Sequence, residues 1–411
     1  MVIRPAIALV VFALAAGDAR AQTYTTTTRL ESAGDALRTV MFGGDMTNGA
    51  LSRNSAEVLY GLLLGETTTF PIGSSAGGFT WLFDSNLRVP VRRSSSFGPM
   101  FAERPFTTGK ARLNVGATFQ HTTFASVGDQ PLSDVEDSSS YRFGDEIYRR
   151  RSSIAVVIDR TIVSATYGLH DRVDLGVIVP VGQARVSGFS ATYQLYEGAV
   201  QDFRDNTSGS SFGIGDIVIR AKTALTDSER FSTAAALDLR LPTGDPEKLM
   251  GTGAMQARAM FIGGTTIGDV NPHVNLGYTF GGRGMAFGAD DRWLGSFGDP
   301  QLIERSPSEE FNYTVGADIA VSSKFTVAGD VIGRVVRNAA SMTRFDSGAT
   351  EPDRQVFLEV TPGTVHKLLG AVGAKLSVGG SWLLTGTVLF PLNKNGITPS
   401  VTPVVGFERA F

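Results

Sequence analysis

Beyond about Gly109 the sequence alternates apolar and polar residues, segment after segment. Leu113, Val115, Ala117 and Phe119 interleave with Arg112, Asn114, Gly116, Thr118 and Gln120. Ile217, Ile219 and Ala221 interleave with Asp216, Arg220 and Lys222, and Leu237, Leu239 and Leu241 with Asp238 and Arg240. Val274, Leu276, Tyr278 and Phe280 then alternate with His273, Asn275 and Thr279, and Phe311, Tyr313, Val315 and Ile319 with Asn312, Thr314 and Asp318. A period of two puts successive side chains on opposite faces of a strand, so each segment has one apolar and one polar face. With further segments centred near residues 158, 177, 259, 331, 372 and 387 and a last one at the carboxyl end, there are about twelve strands of roughly ten or more residues, enough to cross a bilayer at a tilt.

The connections constrain the arrangement further. Tight turns at Gly168 to Arg172, Thr226 to Arg230, Thr265 to Asn271, Ser322 to Lys324 and Gly379 to Ser381 alternate with longer links near 127–150, 188–211, 242–253, 281–308 and 338–363; Asn393 to Thr398 is a shorter one. Short turns at one rim and long loops at the other are the asymmetry of an outer-membrane barrel. A soluble sandwich also strings alternating strands together, but needs neither this rhythm nor an apolar face on nearly every strand. The expected fold is therefore all-β, a membrane-spanning antiparallel barrel of 12 to 14 strands over 109–411. Around Ile154 to Tyr167 the apolar parity switches beside Asp159 and Arg160, which reads as a bulge.

The termini agree with export to that membrane. Met1 to Ala21 carries Arg4, an apolar run from Ala6 to Ala16 and Ala19-Arg20-Ala21, the layout of a cleaved signal peptide, 1–21. That run is well short of the ~20 residues of a spanning helix. The sequence closes on Val405, Phe407 and Phe411, with Gly406, resembling the carboxyl-terminal strand that engages the barrel-assembly machinery, although Arg409 occupies an apolar place in that pattern. Glycine is abundant, 48 of 411 residues, which suits strands and turns more than helices. Cysteine is absent, which removes disulfides, thiolate metal sites and thiol nucleophiles, and a net charge of -3 gives no footprint for nucleic acid.

Residues 22–108 follow another pattern. Thr25 to Thr28 reads as a mobile periplasmic tail. Asn54 and Glu57 mark a helix start, and Val58, Leu59, Leu62 and Leu63 form one apolar face of a short helix near 55–64 that Gly65 ends. Phe79, Trp81 and Phe83 alternate before Pro90, and Arg92, Arg93, Glu103 and Arg104 bracket a Ser- and Gly-rich stretch. A segment of this size fits as a plug in the barrel lumen, with Leu59, Leu62, Arg92, Arg93 and Arg104 meeting the wall. The alternatives are a periplasmic extension or two further wall strands from residue 79 onward.

The polar faces carry charge of both signs. Asp216, Arg220, Lys222, Asp238, Arg240, Arg258, Asp318, Asp330, Arg334, Lys367 and Lys375 have inward parity, as does His273. These are the candidate lumen-lining residues. Mixed signs argue against a pore built from rings of one sign and suit cross-strand pairs or contacts with a plug. Of the four histidines only His273 has lumenal parity within a strand, and no nucleophile, base and orienting group can be assembled around it. The chain is read as a non-enzyme without a cofactor or bound metal. Gly213, Gly215 and Asp216 lack the Lys-Ser/Thr pair and following helix of a phosphate loop, and Pro242-Thr243-Gly244-Asp245 reads as a loop turn in which Asp245 has no assigned ligand.

Several motifs line up in order: Tyr167-Gly168-Leu169 with Asp171-Arg172-Val173-Asp174-Leu175-Gly176-Val177, then Gly213 and Gly215-Asp216, then Leu241-Pro242-Thr243-Gly244-Asp245 with Gly251-Thr252-Gly253, then Asn275-Leu276-Gly277-Tyr278. Over roughly 150–280 this series resembles the outer-membrane barrel family of phenol meta-pathway degradation-like transporters. The chain is also distantly similar to the long-chain fatty-acid transporter class, but the mature start Gln22-Thr23-Tyr24 lacks that class's Asn-Pro-Ala hatch motif. The resemblance implies a bacterial outer-membrane protein for passive uptake of small hydrophobic or aromatic compounds, with outer-membrane lipid as its surroundings. A weakly selective general porin and a structural or surface-binding barrel without transport are the alternatives.

Overall fold

In the computed structural model, the described residues are 22–42, 53–69, 71–73, 77–84, 89–92, 94–136, 147–196, 199–228, 231–281, 284–288, 301–305, 309–348 and 356–411. The expected signal peptide and Arg93 lie outside them. A first strand, β1 (Gln22–Leu30), leads to helices α1 (Ala33–Phe42) and α2 (Arg53–Thr68) and a small hairpin of β2 (Trp81–Asp84) and β3 (Val89–Arg92). The wall starts with β4 (Leu113–Val127), flanked by the short β5 (Gln130–Pro131) and β6 (Val135–Glu136), then β7 (Ile147–His170), β8 (Val173–Tyr196), β9 (Ala199–Ile214), β10 (Val218–Asp227), β11 (Ser232–Arg240), β12 (Gln256–Gly264) and β13 (Val270–Gly281). After a separate hairpin of β14 (Gly284–Gly288) and β15 (Gln301–Arg305) it continues through β16 (Glu310–Ser322), β17 (Phe325–Asp346), β18 (Val356–Gly379), β19 (Trp382–Pro391), β20 (Ile397–Pro399) and β21 (Thr402–Ala410).

The wall is a closed antiparallel barrel of 12 strands. β9 and β10 are two stretches of one of them: β9 pairs with the part of β8 beyond Val181, β10 with the part before Ile178. β21 closes on β4, with Phe407 opposite Ala117 and Arg409 opposite Val115, and the Phe411 amide donates to the Leu113 carbonyl at 2.8 Å. Closure leaves no wall edge unpaired in the hydrocarbon, where an unsatisfied peptide group is costly. The hairpin of β2 and β3 lies apart from the wall, so among the described residues 79–108 adds no strand to it.

The period of two becomes the difference between lipid and lumen. Phe119, Val177, Ile219, Leu237, Leu276, Phe280, Val331 and Phe407 are exposed on the outer face, while their polar neighbours Arg220, Asp238, His273 and Asp330 are buried. Arg409 shares the outer face and lies over two aromatic rings, 5.0 Å from the Trp382 centroid and 4.6 Å from that of Phe411. A guanidinium keeps its charge at the interface while covering apolar surface in this way, so it substitutes for the apolar residue of the pattern.

Several expectations change. The bulge near Asp159 is absent: β4 and β7 stay in register from Leu113 opposite Tyr167 to Phe124 opposite Val156. Ile154, Val156, Ile158 and Ile162 face inward like their even-numbered neighbours, and are apolar because α1, α2 and Ile72 pack there. The long links 188–211 and 338–363 are mostly strand, extending the hairpins of β8 with β9 and β17 with β18.

The expected tail at Thr25 to Thr28 is instead part of β1, paired in parallel with β9 from Gln22 opposite Gln201 to Leu30 opposite Gly209. Its β-branched threonines suit an extended strand once an edge is offered, and Tyr24 stacks on Phe203 with centroids 5.1 Å apart. α1 was not foreseen, although Ser32-Ala33-Gly34-Asp35 holds its cap: the Asp35 amide donates to Ser32 Oγ at 2.9 Å. α2 runs past Gly65 to Thr68, since glycine in a helix interior costs only about 1 kcal/mol and other contacts hold the last turn.

Candidate functional site

The inner face gathers the charged rows into connected groups. On β10 and β11 the Arg220 guanidinium forks onto Asp238, Nε to Oδ1 at 2.6 Å and Nη2 to Oδ2 at 2.8 Å, and its Nη1 donates to Glu103. Arg258, across on β12, reaches the same Asp238 at 2.5 Å. Lys222 lies 3.3 Å from Glu103 Oε2 and 3.7 Å from Asp174. Asp174 in turn accepts the Thr108 amide at 2.9 Å. Register dictates these meetings, because Arg220 is directly opposite Asp238 and Asp238 directly opposite Arg258.

A second group spans β13, β16 and β17. His273 Nε2 is 2.6 Å from Asp330 Oδ1 and its Nδ1 is 3.6 Å from Asp318. The Ser96 hydroxyl donates to Asp318 rather than to the imidazole. Asp330 accepts the amides of Met100 and Phe101 at 3.1 and 2.9 Å, the Phe97 amide donates to Thr326 Oγ1 at 3.0 Å, and the Glu103 amide donates to Asn275 at 2.5 Å. Lys375 Nζ donates to the Phe97 carbonyl at 3.3 Å. These wall side chains thus serve as hydrogen-bond partners for the irregular backbone of residues 96–108, whose amides have no ladder of their own. Arg104, within that stretch, is buried and donates to the carbonyls of Gly78 and Ser96. Burial pulls its guanidinium below the usual arginine range, against Asp318, Glu408 and Glu103 nearby.

A third group surrounds the end of α2. Arg160 and Arg240 donate to the carbonyls of Thr67 and Thr68, and Arg334 donates to Thr69 Oγ1 at 2.8 Å. Cations at the carboxyl end of a helix satisfy its last carbonyls and meet the negative end of its dipole. Glu66 on the same turn lies 2.8 Å from Lys367 and 3.2 Å from Arg334, which also pairs with Glu310 at 2.6 Å. Burial alone would raise Glu66, but Lys367 and Arg334 hold its carboxyl below the ordinary carboxylate value. Leu59 is fully buried and Leu62 packs beside it, in an apolar cluster with Leu37, Met41, Ile154, Val186 and Leu358. Arg92 belongs to β3.

Asp216 is different from its neighbours: both of its oxygens accept bonds from the following loop, from Gly244 N at 3.1 Å and from Thr252 N and Oγ1 at 2.8 and 2.9 Å. Arg160 and Glu310 were missed by sequence reasoning. Arg160 shares the parity of Ile158 and Ile162, a signal obscured by the adjacent Asp159, and Glu310 begins the polar row of Asn312 and Thr314.

Between these groups lies a cavity of about 90 Å³. Pro71, Ile72, Phe101, Met260 and Ile332 supply its apolar lining, with Arg220, Arg240, Arg258, Arg334, Glu103, Asp238 and Glu310 as its charged lining. A closed 12-strand barrel with an apolar outer face and a polar, cavity-bearing interior is a bacterial outer-membrane barrel. Residues 151–338 match the family described as "Putative MetA-pathway of phenol degradation", which agrees with the likeness carried by the motifs. Among solved structures, an outer membrane channel from Pseudomonas putida F1 is similar at 11% identity and a TM-score of 0.46, over 74% of this chain and 97% of that one. The translocator domain of an autotransporter from Neisseria meningitidis is similar at 11% identity and a TM-score of 0.38, over 74% and 89%. The toluene transporter of Ralstonia pickettii is similar at 11% identity and a TM-score of 0.33, over 74% and 90%. No curated protein matches the sequence.

Proposed function

We propose that this protein is a passive outer-membrane channel for small hydrophobic or aromatic compounds, with residues 22–108 as its lumenal plug. The match of residues 151–338 to the phenol-degradation family carries the reading. The cavity is consistent with it, because Pro71, Ile72, Phe101, Met260 and Ile332 offer apolar surface to a small ring while the charged lining can meet a polar handle.

The bonds from 96–108 and from the end of α2 to the wall span the lumen, so passage requires this segment to shift locally, and steady ion conductance is expected to be low. Proteoliposomes holding the full-length protein should take up radiolabelled toluene faster than empty ones, and removing residues 22–108 should raise conductance. Wild-type growth on toluene or phenol after gene deletion would overturn the reading. Large steady conductance of the intact protein would favour a general porin, and zero flux with or without residues 22–108 a sealed structural barrel.

A further inference from the structure

Most cations on the inner face are matched by carboxylates; among the described residues Arg104, Lys375, Arg160 and Arg240 are not, and the last two line a cavity. Arg160 on β7 and Arg240 at the end of β11 each donate one hydrogen bond, to the Thr67 and Thr68 carbonyls. Among the described residues no carboxylate oxygen lies within 4.0 Å of either guanidinium. A guanidinium carries five N–H donors, so most of those on each arginine remain available. Capping does not use up the charge either: a helix carboxyl end is equivalent to roughly half a negative charge. Two full positive charges, set against that half charge and the single negative charge of Asp216 beside them, leave an excess of about half a charge.

That excess faces apolar surface. Arg160 and Arg240 line one small cavity of about 20 Å³ with Ile72, Ile162, Ile178 and Val218. Arg240, Ile72 and Val218 also line the 90 Å³ cavity, so the two spaces adjoin. Asp216 borders the small cavity and offsets part of this charge, but its oxygens accept from Gly244 and Thr252 and make no ion pair with either guanidinium.

We propose that Arg160 and Arg240 form a binding site for a small aromatic carboxylate, a monoanion whose carboxylate meets the guanidiniums while its ring lies against Ile72, Ile162 and Val218. Arginine forks match a carboxylate with two parallel hydrogen bonds, and the aliphatic wall takes a ring without demanding further polar partners. At about 20 and 90 Å³ the adjoining spaces are smaller than the dry ~150 Å³ cavity that takes benzene, so the body is limited to one ring and enters as the segment bonded to the wall shifts. The inference rests on the channel reading and names a substrate class for it.

The test uses full-length protein in detergent micelles, titrated calorimetrically with benzoate and with benzyl alcohol, which keeps the ring and loses the charge. Wild type should bind benzoate at least about ten-fold tighter than benzyl alcohol. Arg240→Gln and Arg160→Gln, checked for folding by heat-modifiable migration, should bring that ratio close to one. Equal affinities in wild type, or a ratio unchanged in both variants, would overturn the site. The wild-type comparison needs no variant and decides the matter even where a variant fails to fold. Toluene uptake into wild-type proteoliposomes is measured alongside: intact uptake without a benzoate preference removes the anion site alone, whereas absent uptake removes the channel reading.

Discussion

The inner face of the wall is contacted in two ways. Around α1 and α2 the contacts are apolar, with Leu37, Met41, Leu59 and Leu63 against Ile154, Val156 and Val186. Around residues 96–108 they are ionic and hydrogen-bonded, through Glu103, Arg220, Lys222, Asp318 and Asp330. The difference follows from the backbone. A helix satisfies its own amides and carbonyls except at the ends, so its sides are free to be hydrophobic. An irregular stretch leaves amides that the surroundings must match, so the wall offers carboxylates, amides and hydroxyls there. The rule holds within α2 itself, where charged partners collect at its carboxyl end, around Glu66 and the carbonyls of Thr67 and Thr68.

The contrast is most strongly broken by Arg220→Met, which leaves Glu103 and Asp238 buried without their shared cation and should cost about 3–5 kcal/mol. Hydrogen exchange should quicken at 96–108 and stay slow in α2; uniform quickening along both segments would contradict the division. Leu63→Ala is the converse change, expected to cost about 2–5 kcal/mol by opening a cavity, usually toward the lower part of that range where neighbours relax. Here α1 and α2 should exchange faster, with 96–108 unchanged.

Acid probes Glu66, a charged anchor of α2. The Glu66 carboxyl is held below its ordinary value, so its contribution to docking is complete above the unfolded pKa of about 4.3 and is lost as pH falls through the lower folded value. Exchange at 60–69 should therefore rise on acidification, and Glu66→Gln should flatten that dependence; an unchanged acid response in the variant would exclude Glu66 as its source. The smallest effect belongs to Ser32→Ala, which removes the cap of α1 and should cost about 1 kcal/mol. It is read as a slight loss of protection in the first turn of α1, and no change would show that the hydrogen bond to Asp35 contributes nothing net.

The wall is legible in the sequence because two independent signals agree: strict alternation in segments such as Leu113 to Gln120, and turns that alternate with long links. It failed where the inner face stopped being polar. Ile154 to Ile162 looked like a broken strand because apolar residues appeared on both faces, and only the helices packed behind it explain that. Thr25 to Thr28 carried no local sign of a distant partner at Arg204 to Thr207, so β1 was not foreseen. Arg160 was lost by the same ambiguity, although its parity was correct.

The sequence by itself determined the barrel, its outer and inner faces and the mixed charge of the lumen, because side-chain alternation is a property of each strand alone. Which charges meet is a different matter. Arg220 faces Asp238 through the register of neighbouring strands, and Glu103 reaches both Arg220 and Lys222 from more than a hundred residues away. Such pairings depend on how β10 and β11 align and on where residues 96–108 meet the wall. Tertiary structure alone also left Arg160 and Arg240 on one cavity without an ion-pair partner, since pairing is defined by what surrounds a charge.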